Sequence, residues 1–365
     1  MVHITDDSDI KYMEQAIALA KKGRGWVNPN PLVGAVIVKD HKIIGQGYHE
    51  KYGGNHAEVN AIENSRESVE GATLYVTLEP CRHHGKTPPC VNRIIKEKIK
   101  RVVIGTLDPN ELMQGKSIKI LRDHRIEVSE GVLAKECSQM NEFFEKYIKT
   151  KIPFVAMKYA MTLDGKIATH TQKSKWITER PARQQVQDLR KAYMGIMVGV
   201  NTIIQDDPQL TYRLTDGNSP IRIICDTYLR TPLDSNVVIT ARKVKTIIAT
   251  GVSQGKEKYE QQGCIVITTK IKNMEVDLQD LMKKLGQLKI DSILLEGGGT
   301  LNWSALDQKI VDKVYAYIAP KIFGGDALSA VSGQGVSLPD QAIQLDQTVI
   351  EKVGCDYLIK GKVMY

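Results

Sequence analysis

The feature that most constrains the fold of this 365-residue chain is a set of three zinc-ligand residues in its first half. His56, Cys81 and Cys90 lie in three separate segments of the sequence. One imidazole and two thiolates fill three corners of a zinc tetrahedron and leave the fourth for water. To meet at one ion, they require a fold that brings together a helix start after Asn55, the exit of an apolar strand at 72–78, and a second helix start at Cys90.

Glu58 lies two residues after the histidine and is the candidate for proton transfer. Zinc lowers the pKa of bound water to about 7, so that hydroxide can attack an amino-bearing ring carbon. Ammonia leaves only if its nitrogen is protonated, which requires a carboxyl group that takes the proton from water and returns it. H-x-E followed by P-C-x-x-C is the signature of zinc-dependent base deaminases. Here eight residues, rather than two, separate Cys81 from Cys90.

A structural zinc site with a fourth protein ligand is the alternative for this cluster. His49, His83 and His84 are the histidines available to supply that ligand. This alternative leaves the H-A-E spacing without a reason, so the sequence favours an ion with an open position.

The length and composition predict a two-domain globular protein. Hydrophobic residues make up 42% and charged residues 25% of the chain, and no run approaches the ~18 apolar residues that span a bilayer. No apolar signal segment follows the first methionine, so we expect a cytoplasmic protein without a membrane anchor. The net charge of +8 comes without a dense basic run interleaved with aromatics, which favours anionic small molecules over nucleic acid as partners.

Both halves of the chain alternate helical and strand patterns, which predicts an α/β fold class for each. The first half reads as a helix–sheet–helix layered domain. Ile152-Pro153 ends the charged helical stretch 132–150, because the residue before proline disfavours helix. We therefore divide the chain into domains 1–147 and 148–365.

The first half resembles the pyrimidine deaminase domain of bifunctional riboflavin-biosynthesis proteins of the RibD/RibG type. The matching segments are N-P-L-V-G-A from Asn30, H-A-E-V-N-A-I from His56, and T-L-E-P-C-R-H-H-G-K-T-P-P-C at 77–90. The second half resembles the reductase domain of the same proteins. Its matching segments are K-Y-A-M-T-L-D-G-K-I-A from Lys158, S-K-W-I-T from Ser174, V-G-V-N-T-I-I-Q-D-D-P-Q-L-T-Y-R from Val198, and E-G-G-G-T-L from Glu296.

This resemblance covers nearly the whole chain and implies an enzyme with two successive activities. It implies a cytidine-deaminase-like three-layer N-terminal domain and a dihydrofolate-reductase-like C-terminal domain. A zinc-dependent deaminase would convert 2,5-diamino-6-ribosylamino-4(3H)-pyrimidinone 5′-phosphate to 5-amino-6-(5-phosphoribosylamino)uracil. A reductase would then use NADPH to turn the ribosyl side chain into ribityl. Family members also assemble, which implies a homo-oligomer.

Three further residues of the first half are candidates for binding the phosphorylated pyrimidine substrate: Asn30, His83 and Lys86. Asn30 is suited to read the ring edge. His83 and Lys86 lie inside the cysteine loop, and a lysine is a compact charge suited to phosphate. A solvated loop lysine is the alternative for Lys86.

For the reductase, the resemblance implies contacts residue by residue. Those implied for NADPH are Ala160, Trp176, Thr202, Asp206, Gly298, Gly299 and Thr300. Those implied for substrate are Ser174, Arg190, Leu210, Arg213 and Glu296. Arg190 and Arg213 would suit the ribose phosphate as a fork of guanidinium donors, with a surface ion pair as the alternative for either.

The glycine run after Glu296 has a physical reason to bind a cofactor. Glycines let the backbone approach a pyrophosphate closely, and a following helix offers free N–H groups, although a tight strand–helix turn would look the same. The resemblance implies that Arg230 lies near a position that touches the cofactor, where an arginine would pair with the 2′-phosphate and favour NADPH over NADH. Lys158 and Glu296 are the candidates for proton delivery as hydride reaches C1′ of the opened sugar.

Two other functions compete with this interpretation. A nucleoside or tRNA deaminase with an unrelated C-terminal domain would carry P-C-x-x-C, which this chain lacks. A zinc-stabilised, nucleotide-sensing protein without catalysis would tolerate the loss of Glu58, yet Glu58 and all three ligand positions are filled.

Overall fold

The computed structural model describes residues 7–82, 88–111, 113–214 and 217–365. The chain divides into two compact units, Met1–Thr150 and Lys151–Tyr365. The sequence-based boundary at 147/148 falls inside a helix that continues to Thr150. The helix ends there because Lys151 has a positive φ of 58° and Pro153 follows shortly after.

The first unit is a five-stranded sheet with helices on both faces. Its helices are α1 (Asp7–Ala20), α2 (Ala57–Glu63), α3 (Cys90–Lys96), α4 (Lys116–Asp123), α5 (Ala134–Met140) and α6 (Glu142–Thr150), with a short 3-10 turn at Lys21–Gly23. Its strands are β1 (Gly34–Lys39), β2 (Lys42–Tyr48), β3 (Thr73–Leu78), β4 (Arg101–Thr106) and β5 (Glu127–Glu130). The strand order is β2-β1-β3-β4-β5, with β1 antiparallel to both neighbours and β3, β4 and β5 parallel.

Alternation along the strands divides the first unit into three layers. Val36, Tyr75 and Val103 pack with α1 and α5, whereas their strand neighbours Ile37 and Leu74 pack with α2, α3 and α4. The hairpin between β1 and β2 turns at Asp40 and His41, both with positive φ. The predicted helix–sheet–helix layering is therefore confirmed.

The second unit is built on a nine-stranded sheet. Its helices are α7 (Arg180–Ala192), α8 (Val200–Asp206), α9 (Asn236–Ile239), α10 (Glu257–Gln261), α11 (Leu278–Gln287) and α12 (Gly299–Asp307), with a 3-10 turn at Pro339–Gln341. Its strands are β6 (Phe154–Thr162), β7 (Gly195–Gly199), β8 (Ile221–Cys225), β9 (Thr246–Thr250), β10 (Ile265–Thr268), β13 (Ser292–Leu295), β14 (Lys313–Ala319), β15 (Gln344–Val353) and β16 (Asp356–Met364), and β11 (Ile271–Lys272) with β12 (Glu275–Val276) forms a separate hairpin. The order is β10-β9-β8-β7-β13-β6-β14-β16-β15.

This topology places the candidate residues of the second unit at the carboxyl ends of parallel strands. Strands β6, β7 and β13 are parallel neighbours, so their carboxyl ends meet at the same edge of the sheet. Gly199 follows from β7 into α8, and Glu296 follows β13 just ahead of α12. Ligands of open α/β sheets bind at the carboxyl ends of strands, so this edge is where a cofactor site is expected.

Within the part of the chain that the structure describes, no helix combines the length and apolar character needed to cross a membrane.

Candidate active sites

The three predicted zinc ligands converge in the first unit. His56 is the N-cap residue of α2, Cys90 is the first residue of α3, and Cys81 follows β3. The Nδ1 atom of His56 lies 3.2 Å from Cys90 Sγ and 3.4 Å from Cys81 Sγ, and all three ligand atoms lie within 4.8 Å of one another. Zn–N and Zn–S bonds at a tetrahedral angle would hold nitrogen and sulfur roughly 3.5 Å apart. The donor set and its spacing therefore fit a zinc ion.

The local hydrogen bonds favour an ionised thiolate at Cys81. Its Sγ accepts a hydrogen bond from the backbone N–H of Cys90, 3.3 Å away. Hydrogen bonding to the Cys90 side chain, followed by that to His56, lowers the pKa of Cys81 to about 4. A thiolate is the form that binds metal, so this residue is prepared for coordination.

Glu58 is buried beside the cluster, with 3% of its surface exposed. It is the second residue of α2 and lines the same cavity as His56 and Cys81. Burial raises its pKa to about 7. The carboxyl group is therefore held within the cavity next to the ligands, as the H-x-E spacing predicts.

The cavity has a volume of about 360 Å³. Its wall includes Asn30, His49, Asp108, Asn110 and Phe144. Asn30 Nδ2 lies 3.2 Å from His49 Nε2, and His49 Nδ1 lies 3.0 Å from the carbonyl oxygen of Asn55. Burial lowers the pKa of His49. Because both ring nitrogens of His49 have partners, this histidine is not available as a fourth zinc ligand.

In the second unit, Glu296 lies between two cations at the carboxyl edge of the sheet. Arg190 contacts it with two groups, Nε to Oε1 at 2.7 Å and Nη2 to Oε2 at 3.0 Å. Lys158 Nζ lies 3.4 Å from Oε2. Burial opposes ionisation of Glu296, but the charges of Arg190 and Lys158 outweigh it and lower its pKa to about 2. At neutral pH the carboxyl group is therefore an acceptor.

A larger cavity of about 630 Å³ opens where α8 and α12 begin. Seven of the predicted contact residues line it: Ser174, Thr202, Asp206, Arg230, Gly298, Gly299 and Thr300. A Cβ atom added at Gly298 would meet no atom within 4 Å, so the backbone there faces open space. A Cβ at Gly299 would lie 2.5 Å from Ser332 Oγ. Two helix starts and an exposed glycine backbone fit the pyrophosphate of a dinucleotide.

Comparison with known proteins finds a matching family model for each of the two units. The family model for the RibD C-terminal domain matches residues 153–359, and that for the cytidine and deoxycytidylate deaminase zinc-binding region matches residues 6–106. The riboflavin biosynthesis protein RibD of Actinobacillus pleuropneumoniae is 52% identical over 356 residues, covering 96% of this chain and 94% of the relative. The chain belongs to the RibD family.

Solved structures support the same assignment. A deaminase/reductase structure from Thermotoga maritima superposes with a TM-score of 0.87 at 40% identity, covering 98% of this chain and 99% of that one. A RibD structure from Acinetobacter baumannii superposes with a TM-score of 0.88 at 34% identity and the same coverage.

The comparisons establish a bifunctional enzyme of riboflavin biosynthesis. The first unit carries the zinc-dependent deaminase and the second the NADPH-dependent reductase, as the sequence predicted. The alternative of a nucleoside or tRNA deaminase with an unrelated C-terminal domain is wrong, because the match to the RibD C-terminal domain spans most of the second unit.

Several predicted contact residues lie outside the large cavity. Leu210 is buried in the core beneath α8 and α9, so a contact to substrate would have to use its backbone. Ala160 packs against the core cluster that includes Val186. Trp176 is 61% exposed and lies under the guanidinium group of Arg183, 4.5 Å from the ring centre.

The predicted fork of Arg190 and Arg213 around a phosphate stays a prediction, and Arg190 already has other partners. Arg190 uses Nε and Nη2 on Glu296 and Nη1 on the carbonyl oxygen of Thr211, so three of its five N–H groups are already engaged. Arg213 is exposed, and its backbone N–H donates to Gln187. The predicted substrate contacts of His83 and Lys86 lie outside the described residues.

Sequence reasoning missed the role of Glu79, which precedes Pro80-Cys81. Its carboxylate accepts hydrogen bonds from the backbone of Gly115 at 2.9 Å and from Ser117 Oγ at 2.5 Å, and two further backbone N–H groups also donate to it. These bonds hold the segment that supplies Asp108 and Asn110 to the cavity wall. The sequence did contain a signal for this role, since Glu79 is an acidic residue between a buried strand and the candidate zinc ligand Cys81.

Proposed function

We propose that this chain deaminates 2,5-diamino-6-ribosylamino-4(3H)-pyrimidinone 5′-phosphate in its first unit. The second unit would then reduce the ribosyl side chain of 5-amino-6-(5-phosphoribosylamino)uracil to ribityl with NADPH. The Thermotoga maritima structure carries the name of a diaminohydroxyphosphoribosylaminopyrimidine deaminase and 5-amino-6-(5-phosphoribosylamino)uracil reductase. The observation that carries the proposal is the grouping of the ligand atoms of His56, Cys81 and Cys90 beside a cavity that Glu58 also lines.

In the deaminase, His56, Cys81 and Cys90 would hold zinc. The ion supplies an activated water as nucleophile, because it lowers the pKa of that water to about 7. Glu58 lines the same cavity and takes the proton from the attacking water, then returns it to the amine that leaves as ammonia. Glu79 holds the segment that supplies Asp108 and Asn110 to the cavity wall.

In the reductase, Gly298, Gly299 and Thr300 would bind the pyrophosphate at the start of α12. NADPH supplies the hydride. Of the two predicted proton donors, Glu296 is held ionised at neutral pH by its lowered pKa and so has no proton to give, which leaves Lys158 as the candidate. The ion pairs of Glu296 with Arg190 and Lys158 would hold Lys158 at this site.

A coupled assay on the purified chain tests this proposal. We expect ammonia to form from the diaminopyrimidinone phosphate without NADPH, and NADPH to be oxidised once the deaminated product accumulates. Glu58→Gln should abolish ammonia release while zinc stays bound, and it should leave NADPH oxidation with added 5-amino-6-(5-phosphoribosylamino)uracil unchanged. Ammonia release from cytidine or tRNA at a comparable rate would contradict the substrate assignment.

We also propose that the chain assembles with a second copy of itself through β15. This strand is at the edge of the nine-stranded sheet, and it exposes Leu345, Val349 and Ile350. An edge strand that exposes apolar side chains usually pairs or is covered. Light scattering should give a multiple of 40.7 kDa, and Ile350→Lys should shift it towards the monomer. A monomeric wild-type chain would contradict this proposal.

We place the protein in the cytoplasm. All six cysteines are free thiols in the structure, and two of them are the candidate zinc ligands, which suits a reducing compartment. Cell fractionation that recovers the protein with secreted or membrane material would contradict this placement.

A further inference from the structure

The second unit contains a buried positive charge that no carboxylate pairs with among the described residues. Arg222 lies in β8, and 0% of its surface is exposed. Its guanidinium group donates hydrogen bonds to Gln209 O at 3.3 Å, Thr240 Oγ1 at 2.8 Å, Val244 O at 2.7 Å and Thr246 Oγ1 at 2.9 Å. Burying a charge is costly unless its donors are satisfied. These hydrogen bonds, rather than the filling of space, are therefore the reason for an arginine at this position.

The four acceptors belong to two separate parts of the chain. Three of them lie in residues 240–246, from the end of α9 to the start of β9, whereas Gln209 lies in the connection between α8 and β8. A guanidinium group carries five N–H donors in a planar fork, so it can hold acceptors in both parts at once. Lysine, with three donors on one nitrogen, could not reach all four. Arg222 therefore ties the α8–β8 connection to the core of the sheet.

The stretch of this connection that Arg222 holds, residues 207–211, has an unusual backbone. Asp207 has a φ of 38° and Leu210 a φ of 51°, so both lie in the left-handed region that residues other than glycine rarely adopt. Such conformations persist where surrounding contacts determine them, and they are concentrated at functional sites. We therefore looked for the contacts that hold the 207–211 turn in its shape.

Two contacts besides that of Arg222 fix the first part of the turn. Asn236 Nδ2 donates to the carbonyl oxygen of Asp207 at 3.0 Å and to its Oδ2 atom at 2.7 Å. The side chain of Leu210 is buried in the core, with 5% of the residue exposed. The 207–211 turn is therefore held from α9, from β8 and by the core beneath it.

The last residue of the turn adjoins the buried charges of the second unit. Arg190 Nη1 donates to the carbonyl oxygen of Thr211 at 3.3 Å, while Nε and Nη2 bind Glu296. The large cavity assigned to the cofactor is lined by Asp206, but by neither Arg190, Glu296 nor any of residues 207–213. The turn and the charges therefore lie on the side of the site that is left for the substrate.

The contact with Arg222 also sets the direction of one peptide group. In a trans peptide the carbonyl oxygen and the following N–H point in opposite directions. Since Gln209 O points to Arg222, the N–H of Leu210 points away from it. Within the part of the chain that the structure describes, no group accepts a hydrogen bond from this N–H. It is therefore available to an acceptor on a bound molecule.

We propose that Arg222 is a positioning residue of the reductase, which holds the 207–211 turn so that the N–H of Leu210 donates a hydrogen bond to the phosphorylated pyrimidine substrate. This inference rests on the reductase function proposed above and adds to it a residue that touches neither substrate nor cofactor. Loss of Arg222 releases the Gln209–Leu210 peptide, which weakens the binding of substrate more than the binding of NADPH.

The test measures NADPH oxidation by the full-length enzyme with 5-amino-6-(5-phosphoribosylamino)uracil. Arg222→Met removes the donors and keeps most of the side-chain volume. We expect KM for the uracil substrate to rise about tenfold, as for the loss of one positioned hydrogen bond, with a smaller change in kcat. KM for NADPH should stay within about twofold of the wild-type value, whereas general damage to the fold would raise both KM values.

Two further variants separate positioning from stability. Leu285→Ala empties part of a different core cluster, since Leu285 is completely buried in α11, so it should lower the Tm and leave KM for the uracil substrate unchanged. Asn236→Ala removes a second anchor of the turn without emptying the core, so it is informative even if Arg222→Met does not fold. We expect it to raise KM for the uracil substrate about threefold with little change in Tm.

Hydrogen exchange measures the turn itself, without substrate. Amide exchange of a peptide covering residues 207–213 should be about tenfold faster in Arg222→Met than in the wild-type enzyme, because the turn loses an anchor. Leu285→Ala should not show this local increase.

Two results would overturn the proposal. One is an Arg222→Met or Asn236→Ala enzyme whose KM for the uracil substrate equals that of wild type, or rises by the same factor as KM for NADPH. The other is unchanged exchange of residues 207–213 in Arg222→Met. A wild-type enzyme that oxidises no NADPH with this substrate would instead refute the proposed reductase function and the substrate contact with it, while the exchange measurement would still decide whether Arg222 holds the turn.

Discussion

Removing the negative charge of Glu296 should destabilise the second unit more than removing an exposed charge does. Glu296, Arg190 and Lys158 are largely buried, with side-chain exposures of 11%, 11% and 14%. In Glu296→Gln, the two cations lose the carboxylate that separates them and remain in a poorly solvated site. Breaking a buried ion pair from one side typically costs about 3–5 kcal/mol.

The pKa of Glu296 gives an independent magnitude for the same interaction. It is lowered from 4.5 to about 2, so the folded state binds the proton less tightly than the unfolded state does. The corresponding stabilisation is about 3 kcal/mol and is fully present above pH ~4.5. It is lost as the pH falls from about 4.5 towards 2.

Calorimetry on the full-length chain measures this effect. NADP added to the sample identifies the transition of the second unit, because a ligand that binds the folded state raises its Tm. Glu296→Gln should lower that Tm by about 6–12 °C at pH 7, and the difference from wild type should shrink at pH 3. Glu351→Gln is the matched control, since Glu351 pairs with Lys360 but its side chain is 39% exposed. It should cost less than about 1 kcal/mol.

The reasoning fails if Glu296→Gln and Glu351→Gln shift the transition equally. It also fails if the loss in Glu296→Gln is the same at pH 3 as at pH 7. Either result would mean that the three side chains do not form a buried charge cluster.

Four further substitutions have specific expected outcomes. Gly298→Ala should raise KM for NADPH about tenfold without loss of stability, because the added Cβ would meet no protein atom. Gly299→Ala should lower the Tm of the second unit, because its Cβ would contact Ser332. Equal Tm values for the two variants would contradict this prediction. Glu79→Gln should lower the free energy of unfolding of the first unit by about 2 kcal/mol and raise the deaminase KM, while NADPH oxidation is unchanged. An unaltered KM would mean that the hydrogen bonds of Glu79 do not position the cavity wall. Arg230→Ala should reduce the preference for NADPH over NADH, measured as the ratio of the two kcat/KM values. An unchanged ratio would mean that Arg230 does not contact the 2′-phosphate.

The parts predicted from sequence are those set by local patterns. His56 and Glu58 line one cavity because a spacing of two residues at a helix start leaves both on its wall, and this placement could be predicted from the sequence. The strands of the first unit were found because they are short apolar runs such as residues 32–38, and Val36 and Ile37 are both buried because the sheet is covered on both faces. The glycine turn at Gly298 was found because few other reasons exist for three consecutive glycines between a strand and a helix.

The parts missed depend on residues that are distant in sequence. Arg190 and Glu296 are 106 residues apart, so nothing local shows that the arginine is engaged by the carboxylate rather than by phosphate. Leu210 was predicted to contact substrate only from the resemblance, and its side chain is buried in the core, as is usual for leucine. Glu79 reads as an ordinary acidic residue until its partners at Gly115 and Ser117 are known.

The central claim is that His56, Cys81 and Cys90 bind one zinc ion with an open position beside Glu58. X-ray absorption spectroscopy of the purified enzyme measures this directly. We predict one zinc per chain, with two sulfur donors, one imidazole nitrogen and one oxygen that a competing small ligand displaces. A zinc ion bound by four protein donors, or a protein that binds no zinc, would contradict the account.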